Sequence, residues 1–256
     1  LAFDEKTKGN SPLAKRATYE IGGNYQAIAV YDLAAEWYEK YAKIDPKGPD
    51  AEKALSDAVI LRLGLGQPDL AIEDAKLFQK NYGASKPAQT AQIAFAIGAH
   101  YAEQEQWDKA RSALAGSMNV IGKAAPDIQV QAHATLARAY TNLKGQMNQA
   151  KAEYAKVRAL WSNPGLAEQK IKEAYPTEDA TQKERRLAKA LNAVGEAYFF
   201  AAEERRKAEV EPLKFPEYKG PGDKASVLKH INTKVKDWYT KKSQAIQKVE
   251  HEYVKI

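Results

Sequence analysis

The stretch that decides the fold is IGGNYQAIAVYDLAAEWYEKYAKIDP, Ile21 to Pro46. Its small and aromatic residues recur at helical intervals, yet Gly22 and Gly23 stand side by side near its start. Paired glycines serve a phosphate loop, a break between helices, or a point where two helices approach closely. The surrounding order is Ile21, Gly22, Tyr25, Ala34, Tyr38, Tyr41 and Pro46. That order places a small residue and an aromatic on one helix and an alanine and an aromatic on the next.

The same order returns along the chain. Ile97, Gly98, Tyr101, Trp107, Ala110 and Leu114 form one copy. Leu136, Ala137 and Tyr140 begin another and continue, after a one-residue insertion, with Met147, Ala150 and Tyr154. Val194, Gly195 and Tyr198 give a half-copy. A degenerate copy holds Ala58, Arg62 in place of the aromatic, the turn Gly64 to Pro68, then Ala71, Ala75 and Phe78. Self-similarity at a period of about 34–40 residues signals stacked helical pairs. Gly22, Gly98, Ala137 and Gly195 are expected where the two helices of a pair cross, with Ala34, Ala71, Ala110 and Ala150 opposite. Asp45 to Asp50, Tyr82 to Pro87, Lys123 to Asp127 and Ser162 to Gly165 read as turns between units. Leu166 to Thr181 is less regular and reads as a short helix or loop.

This pattern resembles the tetratricopeptide repeat (TPR), over residues from about 12 to 201 in about five copies. The fold class expected is all-α, a TPR-type α-solenoid of helix-turn-helix repeats with a long C-terminal amphipathic helix. Residues 1–210 are assigned to the solenoid, 211–223 to a Pro/Gly-rich loop and 224–256 to a long capping helix. The loop's Phe215 and Tyr218 are expected to anchor it on the solenoid, with Asp223 as N-cap of the helix. That helix carries Leu228, Ile231, Val235, Trp238, Ala245, Val249, Tyr253 and Ile256 at three- and four-residue steps. It reads as the cap on the fifth unit. The alternative is that its stripe meets a partner helix or an anionic surface, helped by Lys234, Lys236, Lys241 and Lys242.

Composition excludes several classes of function. The 256 residues are 44% hydrophobic and 28% charged, with a net charge of +6 and no cysteine. Disulfides, thiolate metal sites and cysteine nucleophiles are therefore out. No apolar run approaches the ~20 residues of a membrane-spanning helix. The first residue, Leu1, is not Met, so a processed or trimmed product is expected, with room for a removed signal peptide. Gly64 and Gly66 are followed by Asp69, which breaks the dinucleotide fingerprint, and no phosphate-loop sequence occurs. His100, His133, His230 and His251 show no ligand spacing, so no metal is expected. No cofactor, catalytic residue or nucleic-acid motif is expected either. Glu184-Arg185-Arg186 and Glu203-Glu204-Arg205-Arg206 read as solvated faces with local ion pairs.

The TPR resemblance implies a protein or peptide partner held on the face lined by the first helices of the pairs. Carried onto this chain, the family's groove positions are Arg16, Tyr19 and Gln26 in the first copy. They are Gln92, Phe95 and Glu103 in the third, and Gln131, Arg138, Thr141 and Asn142 in the fourth. In the fifth they are Lys189, Asn192, Glu196, Phe199 and Phe200. Amides suit an extended backbone and aromatics supply pockets. The subclass that clamps a terminal carboxylate uses lysine and asparagine where this chain has Tyr19 and Gly23, which argues against such a clamp. Ala71 to Ala110 is similar to TPR proteins of the Gram-negative cell envelope, and Leu228 to Thr240 is similar to those of gliding bacteria. These imply a non-enzymatic scaffold in the periplasm or cell envelope, with a cytoplasmic location as the alternative. A regulatory module of a larger enzyme or secretion machine, or a binder of an anionic surface, is the alternative function.

Overall fold

The computed structural model describes residues 11–253, so Leu1, the first ten residues assigned to the solenoid, and Ile256 of the C-terminal stripe lie outside it. The fold is an all-α solenoid, without a strand among the described residues. Its first eight helices form four antiparallel pairs. These are α1 (Pro12–Ala27) with α2 (Tyr31–Ile44), and α3 (Ala51–Gly64) with α4 (Pro68–Tyr82). They continue with α5 (Pro87–Glu103) and α6 (Trp107–Ile121), then α7 (Pro126–Asn142) and α8 (Met147–Leu160). Prolines at the first turn of α1, α4, α5 and α7 start helices where a missing N–H costs nothing.

Close crossing within a pair depends on the glycines. A Cβ on Gly22 would stand 2.7 Å from Cδ1 and 2.8 Å from Cε1 of Tyr38, a fully packed ring. A Cβ on Gly98 would meet both Cγ and Cδ2 of buried Leu114 at 2.4 Å. The glycines thus make room for the large residue four positions beyond Ala34 and Ala110, not for those alanines. Ala34, Ala71, Ala110, Ala137 and Ala150 are themselves fully buried, so helix backbones pack closely there as well.

Three of the four turns within pairs share one backbone. The N–H groups of Val30, Gln67 and Gln106 donate to the carbonyls of Tyr25, Arg62 and Tyr101, each at 2.9 Å. Ala29, Gly66 and Glu105 just before them lie in the left-handed region, at φ of 60°, 70° and 55°. This six-to-one bond over a left-handed residue is the Schellman end of a helix. The fourth turn departs from it. Gly145 is left-handed at φ 77°, but Gln146 N–H donates to Leu143, the consequence of the extra residue in that turn.

Beyond the fourth pair the regular succession is interrupted. The segment read as Leu166 to Thr181 is mostly a helix, α9 (Pro164–Ala174), which starts two residues earlier and is capped by Asn163. It is followed by the longest helix, α10 (Ala180–Arg205), which a capping box of Asp179 and Gln182 begins and a π-helical turn, Arg206–Val210, extends. α10 packs on α7 and α8 as α7 does on α5 and α6, so it stands as the first helix of a fifth pair.

The C-terminal helix supplies the second member. It comprises α11 (Lys224–His230), a π-helical turn (Ile231–Val235) and α12 (Lys236–Tyr253), so the single long helix expected contains a wider turn. Asp223 caps it, accepting from Ser226 N–H at 2.9 Å. It runs antiparallel to α10. Lys242 caps the carbonyls of Val210 and Leu213, while further along Tyr253 meets Phe199 and donates to Glu203. Arg205 ties the two helices through Glu252 at 2.7 Å. Phe215 and Tyr218 do not anchor the loop on the solenoid as expected. They pack on the C-terminal helix itself, against Trp238 and His230, because the indole N–H and His230 also bond the loop carbonyls of Leu213 and Pro216.

Candidate functional site

Three first helices, α5, α7 and α10, come together around a cavity of about 250 Å³. α7 and α10 run parallel, because Asp127 of α7 pairs with Arg186 of α10 while Arg138, three turns on, pairs with Glu196. These two ion pairs mark the ends of a cleft. Between them α7 presents Gln131, Ala134 and Thr135, α10 presents Lys189, Asn192 and Ala193, and α5 presents Phe95, Ala99 and Glu103.

The end near Arg138 is a hydrogen-bonded floor. The guanidinium meets Glu196 with two bonds, Nε to Oε1 at 3.0 Å and Nη2 to Oε2. Tyr154 of α8 donates its hydroxyl to the same carboxylate at 2.6 Å. Burial, then this bond to Glu196, holds the Tyr154 phenol far above its ordinary range, so it remains a donor. The bond to Glu196 also raises Arg138 against the opposing effect of burial.

The other end is closed by residues that the repeat pattern does not predict. Tyr175, the residue after α9, reaches Gln92 of α5, whose Nε2 donates to its hydroxyl at 2.9 Å. The Arg186 guanidinium lies 3.5 Å above the Tyr175 ring and donates to fully buried Asp127 at 2.8 Å. It also forks onto Glu178, with Nε at 3.0 Å from Oε2. Burial opposes the Arg186 charge, but the bonds to Glu178 and Asp127 outweigh it and raise its pKa. The Glu178 carboxyl is correspondingly lowered by Arg186.

The residues placed by the repeat register therefore separate. Phe95, Gln131, Arg138, Lys189, Asn192 and Glu196, together with Glu103, line this one cleft. Gln92 is held by Tyr175, and Asn142 turns back on the Arg138 carbonyl. Thr141 likewise bonds the carbonyl of Ala137. In the first pair, Tyr19 packs between Tyr38 and Tyr41 with ring centroids at 5.7 and 5.3 Å. Gln26 accepts from the Tyr38 hydroxyl at 2.6 Å. Arg16 pairs with Glu20 beside a separate depression that includes Lys15 and Asp45. Phe199 faces Tyr253 of the C-terminal helix, and Phe200 packs on Tyr154 at 4.4 Å. The first pair stands apart from the cleft, which α5, α7 and α10 enclose, and its three tyrosines pack on one another.

Lys189 and Glu103 have no ion-pair partner among the described residues, and Asn192 makes no hydrogen bond there. Lys189 lies one turn beyond Arg186, and Glu103 ends α5 level with Arg138. The cleft thus has an unpaired cation toward one end, an unpaired carboxylate toward the other, and Phe95 between. Among the described residues no group of three or more His, Cys, Asp or Glu is placed to hold a metal, and no helix is long and apolar enough to cross a membrane. His133 is instead taken up by Glu153 of α8, 2.5 Å away. No protein-family model matches the chain, and no curated protein matches it.

Proposed function

We propose that this chain is a non-enzymatic scaffold of the TPR kind, binding an extended segment of a protein partner in the cleft between α5, α7 and α10. The observation that carries the reading is the convergence of seven residues, which the TPR resemblance puts on three different pairs, on one cavity. Lys189, Asn192 and Glu103 offer unpaired polar groups to a peptide, and Phe95 offers an apolar anchor between them. The reading assigns the partner's acidic side chains to the Lys189 end and its basic ones to the Glu103 end. It places the scaffold in an assembly of the bacterial periplasm or cell envelope, supported by the resemblance of Ala71 to Ala110.

A random peptide library panned on the protein tests it. Sequences enriched on the unaltered chain should be lost on Phe95→Glu and Asn192→Arg, with far-ultraviolet circular dichroism unchanged. No enrichment, or enrichment that survives both changes, would sink the proposal.

A further inference from the structure

The positive charge of the chain is not spread evenly. Residues 224–249 contain seven lysines and one acidic residue, Asp237, a surplus equal to the +6 of the whole chain. Every one of those cations is lysine; the segment has no arginine. Lys241 pairs with Asp237 at 2.8 Å and Lys242 caps the end of α10, while Lys224, Lys229, Lys234, Lys236 and Lys248 have no ion-pair partner among the described residues.

The same helix has two apolar faces. One is satisfied: Ala245 and Val249 are buried against α10, and Trp238 covers Phe215 and the Leu213 carbonyl. The other is open. Leu228 and Ile231 are each 45% exposed, Tyr239 65% and Ile246 48%. Their steps of three, four plus four through Val235, and seven put them along one side of a helix. From Leu228 to Ile246 the stripe is about 27 Å long at 1.5 Å per residue. Because Lys242 meets the last turn of α10 at Val210, the part of the helix before it extends past α10. The contacts of that part run to the 211–223 loop.

We propose that this projecting helix docks the protein on an anionic lipid surface, lying in the headgroup plane with Leu228, Ile231, Tyr239 and Ile246 inserted and the lysines on the phosphates. An amphipathic helix with a lysine-rich polar face and a short apolar stripe is the form that binds such interfaces. Tyr239 is suited to the water–lipid boundary, having an apolar ring and a polar tip. The choice of lysine decides against an acidic protein partner. Protein interfaces favour arginine, whose planar fork matches a fixed carboxylate, and they are depleted in lysine. Lysine's hydrated point charge suits a diffuse layer of mobile phosphates. This docking is independent of the cleft, which contains no residue of α11 or α12.

Flotation of the full chain with lipid vesicles tests the assignment. Binding is expected to vesicles of phosphatidylcholine mixed with phosphatidylglycerol and not to phosphatidylcholine alone, and to fall as salt rises. Lys229→Glu with Lys236→Glu should weaken it by about 30-fold or more. Leu228→Ser with Ile231→Ser should weaken it by about tenfold. The control pair Lys80→Glu with Lys144→Glu, on other exposed parts of the solenoid, should bind as the unaltered chain does. Equal loss in the control, or full binding by the serine pair, would reduce the effect to overall charge and overturn the proposal. Binding to soluble polyglutamate without binding to anionic vesicles would assign the helix to an acidic protein and overturn it equally.

Discussion

Gly22 and Gly23 are adjacent in the chain and opposite in role. Gly22 faces the Tyr38 ring at a distance no Cβ tolerates, whereas a Cβ on Gly23 would find only the Tyr38 hydroxyl, at 3.8 Å. Gly22→Ala should therefore cost about 1–3 kcal/mol through overpacking, and Gly22→Leu more. Gly23→Ala should gain about 0.5–1 kcal/mol by removing backbone freedom from a helix interior. Urea denaturation of the three variants separates them, and equal loss in Gly22→Ala and Gly23→Ala would contradict this register. Asp74 of α4 is a second residue with an individual signature. It is buried, its Oδ2 has no hydrogen-bond donor, and Glu39 of α2, Lys43 of α2 and Arg62 of α3 surround it. Burial, then the charge of Glu39, pushes its carboxyl up to about 7, although Lys43 and Arg62 pull the other way. A pKa raised above the unfolded value of about 3.9 means the neutral form favours the fold. Its contribution is complete below about pH 4 and is lost as pH rises to about 7, after which it is flat. Asp74→Asn should flatten that decline, measured as the urea midpoint against pH.

Among the elements, α9 and the residues after it close the cleft through a buried charge. Arg186→Met leaves fully buried Asp127 without its cation, and the expected cost is about 3 kcal/mol. The double change with Asp127→Asn should recover most of it, because both charges are then gone. Denaturation midpoints of the two variants provide the check. This cluster was invisible to repeat reasoning. Tyr175 and Glu178 lie in a segment that obeys no period, Arg186 opens α10 beyond it, and only the turn at Ser162 to Gly165 marked a helix limit in advance. By contrast, Phe95, Gln131, Asn192 and Glu196 stood among the groove positions that the TPR resemblance implies, and they line one cleft because stacked pairs put equivalent positions on one face. The first pair misled because register says where a side chain starts and not which neighbours it meets. Tyr19 points at two other tyrosines and joins the core with them. The C-terminal helix likewise hid its role as second member of the fifth pair. Its partner is separated by the 211–223 loop, and its small buried residues, Ala245 and Val249, follow a wider turn that shifts the face.

For the whole molecule, stability in such a stack is a sum of units and nearest-neighbour contacts. Ending the chain at Asp223 should expose the α10 surface around Phe199 and speed amide exchange there by about tenfold or more, while α1 to α4 keep their protection. Mass-spectrometric hydrogen exchange reads both regions at once, and uniform loss would show a single cooperative unit instead. The turns within pairs carry a different consequence. Ala29, Gly66 and Glu105 are three different residues in one conformation, and only Gly66 adopts it without strain. Ala29→Gly and Glu105→Gly should each stabilise the protein by about 1 kcal/mol, seen as a higher melting temperature. What recurs along the chain is thus a joint rather than a word. In the first three pairs the same backbone hinge folds one helix back on the next, whatever residue occupies it.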